Sequence, residues 1–164
     1  MRLAKRFEEI RNELGFSDQI EPINLKTGVQ LIEAASLEDD DGLQDLYARL
    51  LATATNPHTK AMAKRAFVSI LQDLGPLEVQ LLDLIYSAPS EDNIVGTGGF
   101  PERHLSKEER DARPSTEVEI ALWTLAKTGC IEPGGTWGGG STVAAVSITA
   151  LGRTLVEAAI RGPK

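Results

Sequence analysis

Residues 41–57, DGLQDLYARLLATATNP, decide how the chain is read. Leu43, Leu46, Tyr47, Leu50 and Leu51 fall at i, i+3, i+4, i+7 and i+8, the spacing of a helix that turns one face to a core. At its head Asp39, Asp40 and Asp41 meet the positive end of the helix dipole and can accept bonds from free amides. They read as caps rather than metal ligands, since no second acidic or histidine cluster is spaced to complete a coordination shell. At its tail Asn56-Pro57 stops the helix, and Pro57 suits the opening turn of the next one, where its missing N–H costs nothing. The small polar residues of ATATNP offer hydroxyls to a ligand, but such residues also end helices by bonding to nearby backbone. Termination is the favoured reading.

Working outward, Leu3, Phe7, Ile10 and Leu14 draw a first amphipathic helix that Gly15 closes, and Val29, Ile32 and Ala35 draw a short second one. Beyond Pro57, Ala63, Phe67, Ile70, Leu71 and Leu74 form another stripe. Gly75-Pro76 then hands over to a helix through Leu77, Leu81, Leu84 and Ile85. From Ser87 to Pro114 the texture turns to Pro, Gly, Ser and charge, with only HLSKEERD, residues 104–111, suited to a helical turn or two. Ser115 or Thr116 caps a helix carrying Val118, Ala121, Leu122 and Leu125 and ending at Gly129. Next come Ile131, the glycine-laden EPGGTWGGGST, and a strand VAAVSIT with Ala144, Val146 and Ile148 expected on one face. A closing helix carries Leu151, Leu155 and Ile160.

The fold expected is mainly α: a helical bundle with a C-terminal winged-helix-like module carrying a small β-hairpin. Its divisions are a bundle over 1–86, a linker with a short helix over 87–114, and the module over 115–164, joined by 76–86 into one compact unit. Pro133 to Ser141 would be the wing.

Charge narrows the partners. Seventeen basic against twenty-four acidic residues give a net charge of −7, and residues 76–164 hold eight basic and twelve acidic side chains, a net of −4. Phosphate backbones are repelled unless positive groups gather on one face. The wing has no Lys or Arg, and the helix before it exposes Glu117 and Glu119 against Lys127. Nucleic acid is therefore the disfavoured partner, although the element order keeps a winged-helix DNA-binding regulator as the alternative. A protein partner or a homo-oligomer is expected instead. With one cysteine, no apolar leader and no bilayer-length apolar run, the chain reads as cytoplasmic, with no membrane contact.

No catalytic set emerges. Cys130 as a nucleophile would need an adjacent base, and His58 and His104 are distant in sequence; it reads as a buried strand cysteine. The two histidines make neither a zinc set nor a triad, so neither metal nor cofactor is called for. GTGGF (96–100) and GGTWGGG (134–140) lack the strand-to-helix setting and the Lys-Ser/Thr pair of a phosphate loop. The candidate partner-binding residues are Trp137, Arg49, Glu117 and Glu119. Arg49 has two readings, a helix-face ion pair with Asp45 or an anchor for an acidic partner. Trp137, set among five glycines, either stands exposed for docking or tucks against the bundle. Trp123 is expected to pack on its own helix face.

From Ile20 to Tyr86 the chain resembles the bacterial abortive-infection alpha family. The likeness rests on Glu33-Ala34-Ala35, Leu43, Leu46, Ala48-Arg49-Leu50-Leu51-Ala52, Phe67, Ile70-Leu71, Leu74, Pro76 and Leu81-Leu82, and continues in LAKTGCIEPGG and VSITALGRTLVEAA. Tyr47 stands where that family usually has Trp. The resemblance implies a role in phage resistance and a shared fold. Its motifs are packing residues, so it carries over no catalytic position.

Overall fold

The computed structural model describes residues 2–13, 15, 20–88, 93–104 and 112–162. Among the described residues seven α-helices and a three-stranded sheet follow in the order α1 (Arg2–Glu13), α2 (Leu25–Leu37), α3 (Asp41–Thr55), α4 (Ala66–Asp73), α5 (Pro76–Ser87), β1 (Val95–Gly96), α6 (Thr116–Lys127), β2 (Ile131–Gly135), β3 (Ser141–Ile148) and α7 (Ala150–Leu155). A π-helical stretch, Val156–Ile160, continues α7. The fold is mainly α, as expected. The expected turns at 104–111 and the contribution of Leu14 to α1 lie outside the described residues, apart from His104.

The chain divides into two compact units, residues 1–75 with 154–164, and residues 76–153. The first is organised around α3, whose Leu43, Leu46, Tyr47, Ala48, Leu50 and Ala52 are all buried. Asp40 caps it by accepting the amide of Leu43 at 2.9 Å. α1 lies on α3 through Ile10, Ala48 and Ala52, with Leu3 and Phe7 at the margin. Arg6 donates to Asp45 at 2.9 Å and ties the two helices at their rim. Asp45 therefore pairs with Arg6 rather than with Arg49, because α1 offers its guanidinium on the side where Asp45 emerges.

Two sequence expectations need correction here. In α2 the buried residues are Gly28, Leu31, Ala34 and Ala35, while Val29 and Ile32 are exposed. Both stripes have helical spacing, and packing against α3 and α4 selects the one whose small residues allow close approach. The helix after Pro57 begins only at Ala66. Asn56 accepts the amide of His58 at 2.9 Å and the Thr59 hydroxyl donates to the carbonyl of Thr53 at 3.1 Å. These bonds hold a turn that leads into a 3-10 segment, Lys60–Met62, before α4 can start.

In the second unit β3 is central, flanked by β1 and β2, and both pairings are antiparallel. β1 falls in the stretch read from sequence as a connection. Two residues give no periodicity to detect, yet Thr97 extends the attachment by donating its hydroxyl to the Val143 carbonyl at 2.6 Å. The β2–β3 register shifts between Pro133 and Gly134. Because β3 takes up extra residues there, its buried side chains are Val143, Val146 and Ile148, and Ala144 is only half-buried. Ser115 caps α6 by accepting the Val118 amide. Val118, Ala121, Leu122 and Leu125 turn inward toward α5 and the sheet.

Cys130, Thr149 and Gly152 lock the end of the sheet to the closing helix. The Thr149 hydroxyl donates to the Gly129 carbonyl at 2.6 Å and accepts the Gly152 amide at 3.0 Å. A Cβ on Gly152 would overlap the backbone carbonyl of Cys130, so only glycine allows this approach.

Candidate functional site

The most distinctive surface is on the second unit, where the outer side of α6 meets the β2–β3 turn. Four inward residues leave a stripe at the opposite side of α6, and Ile120 and Trp123 fall on it, one turn apart. Ile120 is 63 % and Trp123 41 % exposed. Trp123 is therefore a surface residue, contrary to the expectation that it packs on its helix: it lies well round the helix from Leu122 and Leu125, which fill the core side.

The turn is closed by its own bonds. The Thr136 amide donates to the Gly140 carbonyl at 2.8 Å, the Gly140 amide donates to the Thr136 hydroxyl at 3.0 Å, and the Gly139 amide donates to the Thr136 carbonyl at 3.0 Å. Gly139 sits at φ 80°, a left-handed conformation that glycine adopts without a Cβ penalty. Trp137 projects from this closed turn into solvent along its whole length. Of the two readings of that indole, the exposed one holds.

A groove of about 190 Å³ runs between helix and turn, with Glu119 and Trp123 on one wall and Thr136 and Thr142 on the other, and Arg113 and Pro114 at its end. Glu119 thus shares a groove with the base of the Trp137 turn, whereas Glu117 stands exposed on the same first turn of α6 but does not line the groove. Ile120 was not singled out from sequence, and Trp123 was expected only to pack on its own helix face. The signal was available, since Val118, Ala121, Leu122 and Leu125 define an inner face that excludes both.

Arg49 belongs to the first unit and faces inward chemistry. Its Nη1 donates to the Ile160 carbonyl at 2.6 Å, and one turn later the buried Thr53 hydroxyl donates to the Ala158 carbonyl at 2.7 Å. The two side chains donate to carbonyls at the C-terminal end of the π-helical stretch and tie α3 to it. The polar tail of α3 therefore works as structure: Thr55 bonds back to Leu51 and Ala52, and Asn56 organises the following turn.

Cys130 is fully buried, and burial pushes its thiol pKa up although the Thr128 hydroxyl donates to the sulfur. A raised pKa disfavours the thiolate that nucleophilic attack would need. Among the described residues no group of three or more His, Cys, Asp and Glu lies close enough to hold a metal ion. No helix among them is long and apolar enough to cross a membrane.

No curated protein and no solved structure matches the chain. A family model does, the one described as abortive infection alpha, over residues 1–159. That match takes in both units, including the α6 surface and the Trp137 turn. The chain belongs to the abortive infection alpha family, and this membership associates it with abortive infection, the anti-phage defence.

Proposed function

We propose that the protein is a non-enzymatic protein-interaction module, a sensor, adaptor or regulator in anti-phage defence, and that it works in the cytoplasm. It engages its partner with Trp137, Ile120 and Trp123, framed by Glu119 and Glu117. The reading rests on one observation above others: a tryptophan held fully in water on a closed, hydrogen-bonded turn. Indoles left in solvent are rare, and they are over-represented where a partner will cover them. A single buried cysteine, which has no second one to pair with in the chain, calls for no oxidising compartment. The test is affinity capture from phage-infected and uninfected cells with the wild-type chain and Trp137→Ala. Loss of the captured protein at unchanged melting temperature supports the reading, and equal capture by both chains rejects it.

A second reading has its own support. The order α5, β1, α6, β2, turn, β3, with β3 between the other strands, supports a winged-helix reading, a common DNA-binding form, although the short second helix which that form needs falls outside the described residues. The surface that would read bases instead carries Ile120, Trp123, Glu117 and Glu119, with a turn free of Lys and Arg. Duplex affinity should be absent even at low salt in a gel-shift titration; a retarded complex that dissolves steeply with added salt would favour the regulator.

A further inference from the structure

The outer face of α2 is apolar and uncovered. Leu25, Val29 and Ile32 recur at i, i+4 and i+7, and they are 80, 44 and 49 % exposed. On a helix this spacing places them in one stripe along about two turns. The stripe is opposite in character to the rest of the molecule, whose net charge of −7 makes any two copies repel. Only two charged residues occur in α2, Lys26 and Glu33. Both are exposed, and neither has an ion-pair partner among the described residues.

Their positions are informative. Seven residues apart, Lys26 and Glu33 project on the same flank of the stripe, nearly two turns from each other. The opposite flank, Gly28 and Ala35, is buried in the first unit. When two helices pair antiparallel across an apolar seam, each exposed flank faces the same flank of its mate, with the direction reversed. Lys26 of one copy then stands at the level of Glu33 of the other, and the reverse pair forms by symmetry. A surface that complements itself in this way is what a twofold, isologous contact requires. In a parallel pairing this complementarity would be lost.

We propose that α2 is a self-association surface, on which two copies pair antiparallel through Leu25, Val29 and Ile32 with reciprocal Lys26–Glu33 ion pairs. α2 belongs to the first unit and Trp137 to the second, and the proposal stands or falls independently of the Trp137 reading.

Sedimentation equilibrium of the full chain over a wide concentration range is the test. The wild type is expected to show reversible dimer mass, and Ile32→Glu to weaken the dimer tenfold or more, since it places two like charges in the seam. Melting curves check that Ile32→Glu still folds. Lys26→Glu and Glu33→Lys, both fully on the surface, should each weaken the dimer about two- to fivefold. The double exchange, Lys26→Glu with Glu33→Lys, should restore wild-type affinity, a recovery that general stickiness cannot produce. Trp137→Ala should leave the dimer unchanged. A monomer at every concentration, a dimer indifferent to Ile32→Glu, or a double exchange as weak as its single variants would overturn the proposal.

Discussion

The tail of α3 and the β2–β3 turn look alike on paper and behave oppositely in the structure. Both are short runs of small and polar residues with a single larger group, Arg49 ahead of ATATN in one and Trp137 within GGTWGGG in the other. In the first, the Thr53 hydroxyl and the Arg49 guanidinium turn inward, onto carbonyls of residues more than a hundred positions later, and only Thr55 bonds back within its own helix. In the second, the polar groups bond only to one another, and the large side chain is pushed into solvent. The lesson is about where the hydrogen bonds go. Polar groups whose partners are remote in sequence hold a fold together, and polar groups whose partners are local free a neighbouring side chain for other work.

That contrast can be broken at several points. The largest effect should come from Thr53→Ala, which leaves the buried Ala158 carbonyl without its donor. A loss of about 1–3 kcal/mol is expected, read as a fall of several degrees in melting temperature. Arg49→Met should cost less, about 1 kcal/mol, because the guanidinium is only partly buried and water can reach the Ile160 carbonyl. If Arg49→Met instead abolished partner capture at unchanged stability, the α3 tail would belong with the turn as a contact surface. Trp137→Ala should change stability by no more than about 0.5 kcal/mol in a denaturant titration; a larger loss would place the indole in a core.

The smallest effect appears only in alkali. Tyr47 is buried beneath the acidic head of α3, and burial, with the nearby Glu38 charge, raises its phenol from an ordinary value of 10.0 to about 12. A raised folded-state pKa means that the folded chain holds the proton more tightly than the unfolded one. The stabilising contribution is thus complete below pH 10 and disappears as pH rises through about 12. An ultraviolet titration should show a late tyrosine step, and Tyr47→Phe should remove it. An early step in its place would mean that α3 opens near Tyr47.

Much of this architecture was legible in the sequence, and the exceptions share a cause. The caps Asp40 and Ser115 and the glycine stops at Gly15 and Gly129 are local devices, decided by residues a few positions apart. The buried Cys130 was expected because no base stands near it in the sequence, and it is buried immediately before β2. By contrast, α2 has two stripes of equal periodicity, and only the helices packed against it choose between Leu31 and Ile32. β1 exists because β3 is there to pair with it. Arg49 finds a carbonyl that no pattern near it announces. For the candidate site, Trp137 and Glu119 were named from sequence, and Ile120 and Trp123 could have been, since the inner face of Val118, Ala121, Leu122 and Leu125 excludes both. Wherever the deciding partner is distant in the chain, a single sequence is silent about it.

The division of the chain has a consequence for its birth on the ribosome. The first unit is assembled from residues 1–75 together with 154–164, so the π-helical stretch that receives Arg49 and Thr53 is synthesised after the whole of the second unit. Synthesis proceeds at about 5–20 residues per second, which leaves α3 waiting several seconds for donors and carbonyls to meet. During that interval the side of α3 that later meets the π-helical stretch is uncovered, and a partner or chaperone that recognises it would act before the first unit is complete.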